Sequence, residues 1–297
     1  MKQTHNPKYH RTVLIDEVLH YLNPQSGKIY LDATFGGGGH TRAILTHEPD
    51  CAVIAVDWDQ EAIEKNAPPL ADEFGARFST IWGNFAQLPY LLKKYGYDKV
   101  DGLLVDFGTS QYQITEREGF SFALDTPLDM RMSPAHFKIT AADIVNAASE
   151  NELVYVFQEY GEERAARKIA RAIIEARGEK KIRTTSDLAG IVLSVVRQKY
   201  GQIHPATRIF QALRIVVNKE LDNIKTFLLH LPQILNKDGR VVCISFHSLE
   251  DRLVKNYLKE HKNEFDILTK KVIFPTEEEV RLNPSSRSAR LRAAQKK

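Results

Sequence analysis

Four consecutive glycines, Gly36 to Gly39, break an apolar run, and two acids, Asp57 and Asp106, each close a later one. Glycine at such a turn lets the backbone approach a ligand closely, because no Cβ stands in the way. An acid about twenty residues beyond the turn is where a ribose hydroxyl finds its acceptor. These three features point to a nucleotide-like ligand. His247 follows another apolar run, Arg240–Phe246, and adds a titratable ring at a comparable position.

The loop chemistry narrows the ligand. The run Gly36-Gly-Gly38-Gly-His-Thr41 has Thr41 where a dinucleotide fingerprint needs its third glycine. No Lys-Ser/Thr pair follows the glycines, which excludes a P-loop. The first Lys or Arg beyond the loop is Arg42, so a pyrophosphate finds little cationic help. S-adenosylmethionine carries no phosphate. It needs backbone near its amino-acid end, a carboxylate for its ribose and an apolar wall for its adenine. A tight left-handed turn without a ligand would use the same glycines.

The periodicity around these residues predicts the elements that position them. Val13–Leu22 has a helical apolar face, and strands are expected near 28–34, 51–57, 77–82 and 99–106. Helices are expected at 41–47, from Asp59 (with Asp59 as cap) and at 85–95. The strand–helix rhythm stops at about 111. Amphipathic helices over 150–160, 162–176 and 185–199 follow without a convincing strand. A helix from Pro205 to about 221, and another to Leu235, lead through a turn at Lys237–Gly239 to a fifth strand, 240–246. A helix at 248–260 follows, and the tail from Asn283 could supply a last strand. The reading is a doubly wound α/β sheet with a helical insertion after strand four. Residues 1–110 and 204–297 form the sheet domain, and 111–203 the insertion. Ligands of such sheets sit outside the carboxyl ends of the strands, where the glycine loop, Asp57, Asp106 and Phe246 all fall.

The 297 residues suffice for a large core, and 43% hydrophobic with 27% charged residues is the balance of a water-soluble globular protein. The net charge of +3 permits a nucleic-acid partner without requiring one. Cys51 and Cys243 fall in expected strands and form neither a disulfide framework nor a metal spacing. No run is long enough to span a bilayer and no signal peptide is recognisable, so a reducing cytoplasm is expected.

Several long runs resemble the ribosomal RNA small subunit methyltransferase H family, also called MraW. They are His10–Glu17, Asp32–His40, Gly119–Phe122 with Pro127–Met132, Tyr160–Arg164, Ile169–Ile173, His204–Arg208 with Phe210–Ala212, and Ile244–Arg252. The resemblance implies a class I S-adenosylmethionine-dependent methyltransferase fold with an inserted helical domain. It implies methylation of N4 of a cytidine in the decoding region of 16S ribosomal RNA. By the same resemblance, cofactor contacts fall on Gly38, Gly39, His40, Asp57, Phe85, Asp106 and Gln113. The family usually reads Asp-Leu-Gly-Val-Ser-Ser after strand four. Here the run is Asp106-Phe-Gly-Thr-Ser-Gln111, and Thr115 replaces a usual acid. The stretch between Glu260 and Asn283 is also shorter than usual in the family.

An exocyclic cytosine amine is a weak nucleophile, because its lone pair is delocalised into the ring. Positioning and electrostatics should supply most of the rate, with no metal required. Asp106 is a candidate acceptor for the N4 hydrogen or solely a cofactor ligand. His247 is a candidate for orienting the base or taking a proton, or a helix cap. Methylation at cytosine C5 would need a cysteine at the target, which neither mid-strand cysteine provides. RNA would be met by eight Lys/Arg between Arg164 and Arg183 and by six between 281 and 297. Phe107, Tyr112 and Phe246 are candidates for gripping an unstacked base. Two other function classes share this outline: a dinucleotide-dependent oxidoreductase and a non-catalytic RNA-binding or assembly factor.

Overall fold

The computed structural model describes residues 12–108, 118–198, 200–201 and 203–297. The chain divides into two compact units, residues 1–110 with 221–297, and residues 111–220.

The first unit is a seven-stranded sheet. In chain order the strands are β1 (Ile29–Asp32), β2 (Ala52–Asp57), β3 (Phe78–Trp82), β4 (Val100–Asp106), β5 (Leu235–Ser245), β6 (Phe265–Ile267) and β7 (Arg290–Lys296). Their spatial order is β3-β2-β1-β4-β5-β7-β6. Strands β1 to β5 are parallel, and β7 runs antiparallel to both β5 and β6. This is the sheet of class I S-adenosylmethionine-dependent methyltransferases, as the resemblance implied.

Successive residues of a strand point to opposite faces, so a sheet covered on both sides needs apolar residues at every position. The central strands obey this. Leu31, Ile54, Val56, Leu103, Val105, Val241 and Cys243 enter one core, with residues of α4 (Leu88–Lys94), α10 (Glu220–Ile234) and α11 (Ser248–Glu260). Their neighbours Tyr30, Val53, Ala55, Leu104, Val242 and Ile244 enter the other, with α1 (Ile15–Leu22), α2 (Gly39–His47) and α3 (Gln60–Phe74). Phe227 of α10 is fully buried, and its truncation to Ala would cost about 3–5 kcal/mol.

The turn expected at Lys237–Gly239 lies inside β5. Val100 pairs with Leu235 but Gly102 pairs with Arg240, so residues 236–239 bulge out of the ladder, with Asp238 at φ 64°. The bulge is anchored by Asn236, whose Nδ2 donates to Asp101 Oδ1 at 3.0 Å.

The second unit is helical, with α5 (Ala141–Ala147), α6 (Glu150–Glu159), α7 (Ala166–Glu179), α8 (Thr185–Val195) and α9 (Ala206–Asn218). The boundary expected at residue 204 is corrected to 221. Ile209, Phe210 and Leu213 of α9 bury themselves with Leu153, Phe157, Ile169 and Leu188 of this unit. The helix α5 was not anticipated. Its start carries a capping box in which Thr140 and Asp143 satisfy each other's backbone N–H.

Candidate active site

The loop after β1 opens the site. Beyond Asp32 the chain continues extended, with Ala33 N–H donating to Leu104 O and Phe35 N–H to Val56 O. It then folds back at Gly38, which holds φ 74° and precedes α2. A Cβ at Gly38 would stand 2.9 Å from the Phe35 ring and 3.3 Å from Leu70, so only glycine lets the loop close here. Gly39 and His40 open α2, where helix geometry gives their N–H groups no intrahelical carbonyl. Such a helix end favours a carboxylate, the charge at the amino-acid end of S-adenosylmethionine.

Asp57 ends β2 and is buried. Its Oδ2 accepts from Gly36 N–H at 2.7 Å and its Oδ1 from Asp59 N–H at 2.8 Å. One backbone bond to each oxygen locks the carboxylate's plane and leaves each oxygen a lone pair for a vicinal diol. Burial pushes its pKa up to about 7, against the pull of those two N–H groups. Asp59 stands at the N-cap of α3, but its side chain does not make the capping bond that the sequence suggested.

Two further groups brace the loop and were not singled out from sequence. Asp32 is fully buried and accepts from Thr41 Oγ1 at 2.7 Å and Thr34 N–H at 3.2 Å. Burial nonetheless raises its pKa. Thr34 Oγ1 in turn accepts from Asp106 N–H at 2.7 Å, tying the loop to the end of β4. The available signal was the Asp32-x-Thr34 spacing at a strand end with a further hydroxyl at Thr41.

Asp106 closes β4, and its Oδ1 accepts from Gly108 N–H at 2.9 Å. Burial lifts its pKa to about 6, although the charge of His40 acts in the opposite direction. His40 is buried in α2, and its Nε2 lies 2.9 Å from the Val13 carbonyl, to which it donates. That bond also fastens the segment ahead of α1 against the glycine loop.

Phe85 follows β3 in a short 3₁₀ turn (Phe85–Gln87) whose start is capped by Asn84. Its ring centroid lies 5.9 Å from Trp58, 5.9 Å from Phe107 and 5.8 Å from Phe227. These rings form an apolar wall beside Asp57. Phe107 was expected to be free to grip a base. It is instead buried, within 6.1 Å of Phe227, because the core claims its faces. Phe246 is half-buried, and a Cβ at Gly108 would run into its ring.

His247 begins α11 immediately beyond β5, the strand next to β4. Its Nε2 lies 3.2 Å from Glu250 Oε1, an ion-pair distance, yet neither ring nitrogen makes a hydrogen bond. The backbone capping is done by Glu250, whose Oε2 accepts from Phe246 N–H at 2.7 Å and His247 N–H at 3.2 Å. Gln113, Tyr112 and the departures at Gln111 and Thr115 lie outside the described residues.

The site's chemistry fits one class of ligand. It offers an ionisable carboxylate with two open lone pairs, an aromatic wall and helix-end amides. The nearest following cation, Arg42, is engaged in an ion pair with Glu73. That set suits a sulfonium nucleoside better than a pyrophosphate.

A model of the MraW methylase family matches residues 7–297. The chain belongs to this family. Relatives named ribosomal RNA small subunit methyltransferase H include those of Thermotoga neapolitana, 46% identical with 99% of this chain and 97% of that protein aligned. Others are from Neorickettsia sennetsu, 45% identical over 97% and 96%, and Carboxydothermus hydrogenoformans, 43% identical over 97% of each.

Several MraW motifs have structural work in this chain. In the second unit His204 stacks on Phe122 at 4.4 Å, and Phe122 meets Phe210 edge-on at 5.2 Å. Gln211 Nε2 donates to Tyr160 O at 3.1 Å, and Arg208 lies 3.8 Å from Glu163. Asn218 pins the Pro127–Met132 run, accepting from Met132 N–H and donating to Met130 O. In the first unit Asp251 holds Arg292 through two bonds, at 2.6 and 3.0 Å.

The two basic runs fare differently. Arg164, Arg167, Lys168, Arg171, Lys180, Lys181 and Arg183 are exposed, with Arg171 3.1 Å and Arg167 4.0 Å from Glu150. Arg177 is structural, donating to the Val145 and Ala148 carbonyls at the end of α5. Among the described residues no helix is long and apolar enough to cross a membrane.

Proposed function

We propose that this chain methylates N4 of a cytidine in the decoding region of 16S ribosomal RNA, with S-adenosylmethionine as methyl donor. The observation that carries the reading is the row of acids at the carboxyl ends of adjacent parallel strands. Asp57 is set for a ribose, and Asp106 stands two strands away beside the glycine loop. Full-length similarity to relatives named for the small-subunit RNA supports the substrate.

In this reading Gly38, Gly39 and His40 hold the donor's amino-acid end through backbone amides. Asp57 holds the ribose, the Trp58 and Phe85 rings wall the adenine, and Gln113 adds a contact. Bound S-adenosylmethionine supplies a methyl group on a positively charged sulfur. The amine gains that carbon and gives up one proton, and Asp106 is the acceptor. With Oδ1 fixed by Gly108, Oδ2 remains for the amine. A carboxylate held at about 6 is ionised at neutral pH yet basic enough to take a proton as the bond forms. His247, at the neighbouring strand end with its Nε2 3.2 Å from Glu250 Oε1, orients the base. The helical unit, with its exposed cations on α7 and beyond, receives the RNA backbone. This work is placed in the cytoplasm.

Labelled methyl transfer to small-subunit RNA, or to the assembled subunit, followed by nucleoside digestion tests the reading. N4-methylcytidine is the expected product. Label in another nucleoside would move the target atom, and no transfer to either substrate would favour an assembly factor on the same fold.

A further inference from the structure

The tail contributes six cations, and four of them are internally committed. Arg281 pairs with Glu278, Arg292 with Asp251 and Lys297 with Asp266, while Lys296 donates to the Pro232 and Leu235 carbonyls at the end of α10. Arg287 is exposed. Arg290 is different again. It is half-buried, its Nη1 is shut off from solvent without a hydrogen-bond partner, and among the described residues it forms no ion pair. A guanidinium nitrogen withdrawn from water without an acceptor is costly, and the rest of this half-buried side chain is left to meet a partner.

Its position bears on that partner. Arg290 is the first residue of β7 and pairs with Ser245, the last residue of β5. Since β7 is antiparallel to β5, this is the carboxyl edge of the sheet. Arg292, two residues on and therefore on the same face, is bound to Asp251 of α11. Arg290 stands about 7 Å nearer the edge than Arg292. In α11 the four residues from Asp251 back to His247 cover about 6 Å. Along the strand direction the backbone of Arg290 therefore comes level with that of His247. The Arg290 backbone is separated from that of Asp106 by β5, because Asp106 pairs with Ile244 on the far side of that strand; the span is two strand spacings or about 10 Å, and the two side chains leave the same edge of the sheet from opposite faces. The helix end itself is not an anion site, since Glu250 already takes the Phe246 and His247 N–H groups.

We propose that Arg290 is a phosphate receptor of the substrate site, holding the RNA backbone beside the nucleotide whose base reaches Asp106. This rests on the RNA methyltransferase reading and adds the group that registers the strand against the acceptor carboxylate. Arginine suits the task because its planar fork meets phosphate bidentately, whereas lysine offers only a point charge.

The test compares the wild-type enzyme with Arg290→Met and Arg290→Lys, using labelled S-adenosylmethionine and small-subunit RNA over a range of KCl. Arg290→Met is expected to raise KM for RNA about tenfold. It should also reduce the slope of log affinity against log salt by about 0.7–0.9, the loss of one phosphate contact. Arg290→Lys should restore the slope but only part of the KM. Calorimetric affinity for S-adenosylhomocysteine should be unchanged in both. A wild-type enzyme that methylates RNA while Arg290→Met matches it in KM and slope overturns the inference alone. So does a lysine variant as impaired as the methionine variant, with both melting lower, which would make Arg290 a structural residue. A wild-type protein that transfers no methyl group overturns the underlying reading as well.

Discussion

Cofactor affinity is expected to depend on pH through Asp57. Burial raises this carboxyl from 3.8 to about 7 despite the N–H groups of Gly36 and Asp59. A ribose diol donates hydrogen bonds, so the ionised form is the better acceptor. At pH 6 about one site in ten is ionised, and the apparent Kd should be about tenfold weaker than at pH 8. Between these values log Kd should fall toward a plateau above 7. Asp106, held at about 6, contributes mainly below that window. Titration calorimetry with S-adenosylhomocysteine in two buffers of different ionisation enthalpy reads both affinity and the proton released, close to one per site at pH 6. Asp57→Asn should abolish the pH dependence and cost ~1–3 kcal/mol at pH 8. Equal Kd at pH 6 and 8, or an Asn variant with unchanged affinity, would refute the ribose assignment. The same shift acts on folding. A raised carboxyl stabilises the cofactor-free protein fully below its unfolded value near 3.8, and that contribution is lost as pH rises through about 7. Chemical denaturation of wild type and Asp57→Asn across that range should show a shallower decline in the variant.

Other outcomes follow from the same geometry. Asp106→Asn should lower kcat by about 10²–10⁴-fold while Asp57 still binds cofactor, measured by single-turnover transfer. Thr41→Val removes the hydroxyl that serves buried Asp32, and should lower unfolding free energy by ~1–3 kcal/mol in urea titration. Replacing Arg167, Lys168 and Arg171 by neutral residues should flatten the salt dependence of RNA binding; Glu150, already beside two of them, will temper the change. An unaltered slope would place the RNA elsewhere.

The sheet was legible because each central strand is apolar throughout and ends in a residue of different chemistry: glycine loop, Asp57, Asp106, Phe246-His247. Short or irregular elements were not. Three residues of β6 carry no periodicity, and the β5 bulge imitates a turn because Asp238 adopts the same left-handed conformation as a turn residue. The boundary near 204 was misplaced because Ile209, Phe210 and Leu213 would form an apolar face in either core, and periodicity does not say which. In the site, Asp57 and Asp106 stood out at strand ends, whereas Asp32 and Thr34 looked like the approach to the loop. The tail's charge was misread for a related reason. Whether an arginine faces solvent or an acid such as Asp251, 41 residues away, is decided by strand pairing that a charge count does not contain.

The central claim is that the turn after β1 and the acid closing β2 hold the methyl donor. A crystal structure with S-adenosylhomocysteine tests it most directly. The expected result is both ribose hydroxyls on the Asp57 carboxylate, the amino-acid end at Gly38–His40 and the sulfur facing Asp106. A nucleoside bound elsewhere, or this edge of the sheet empty at saturating ligand, would contradict it.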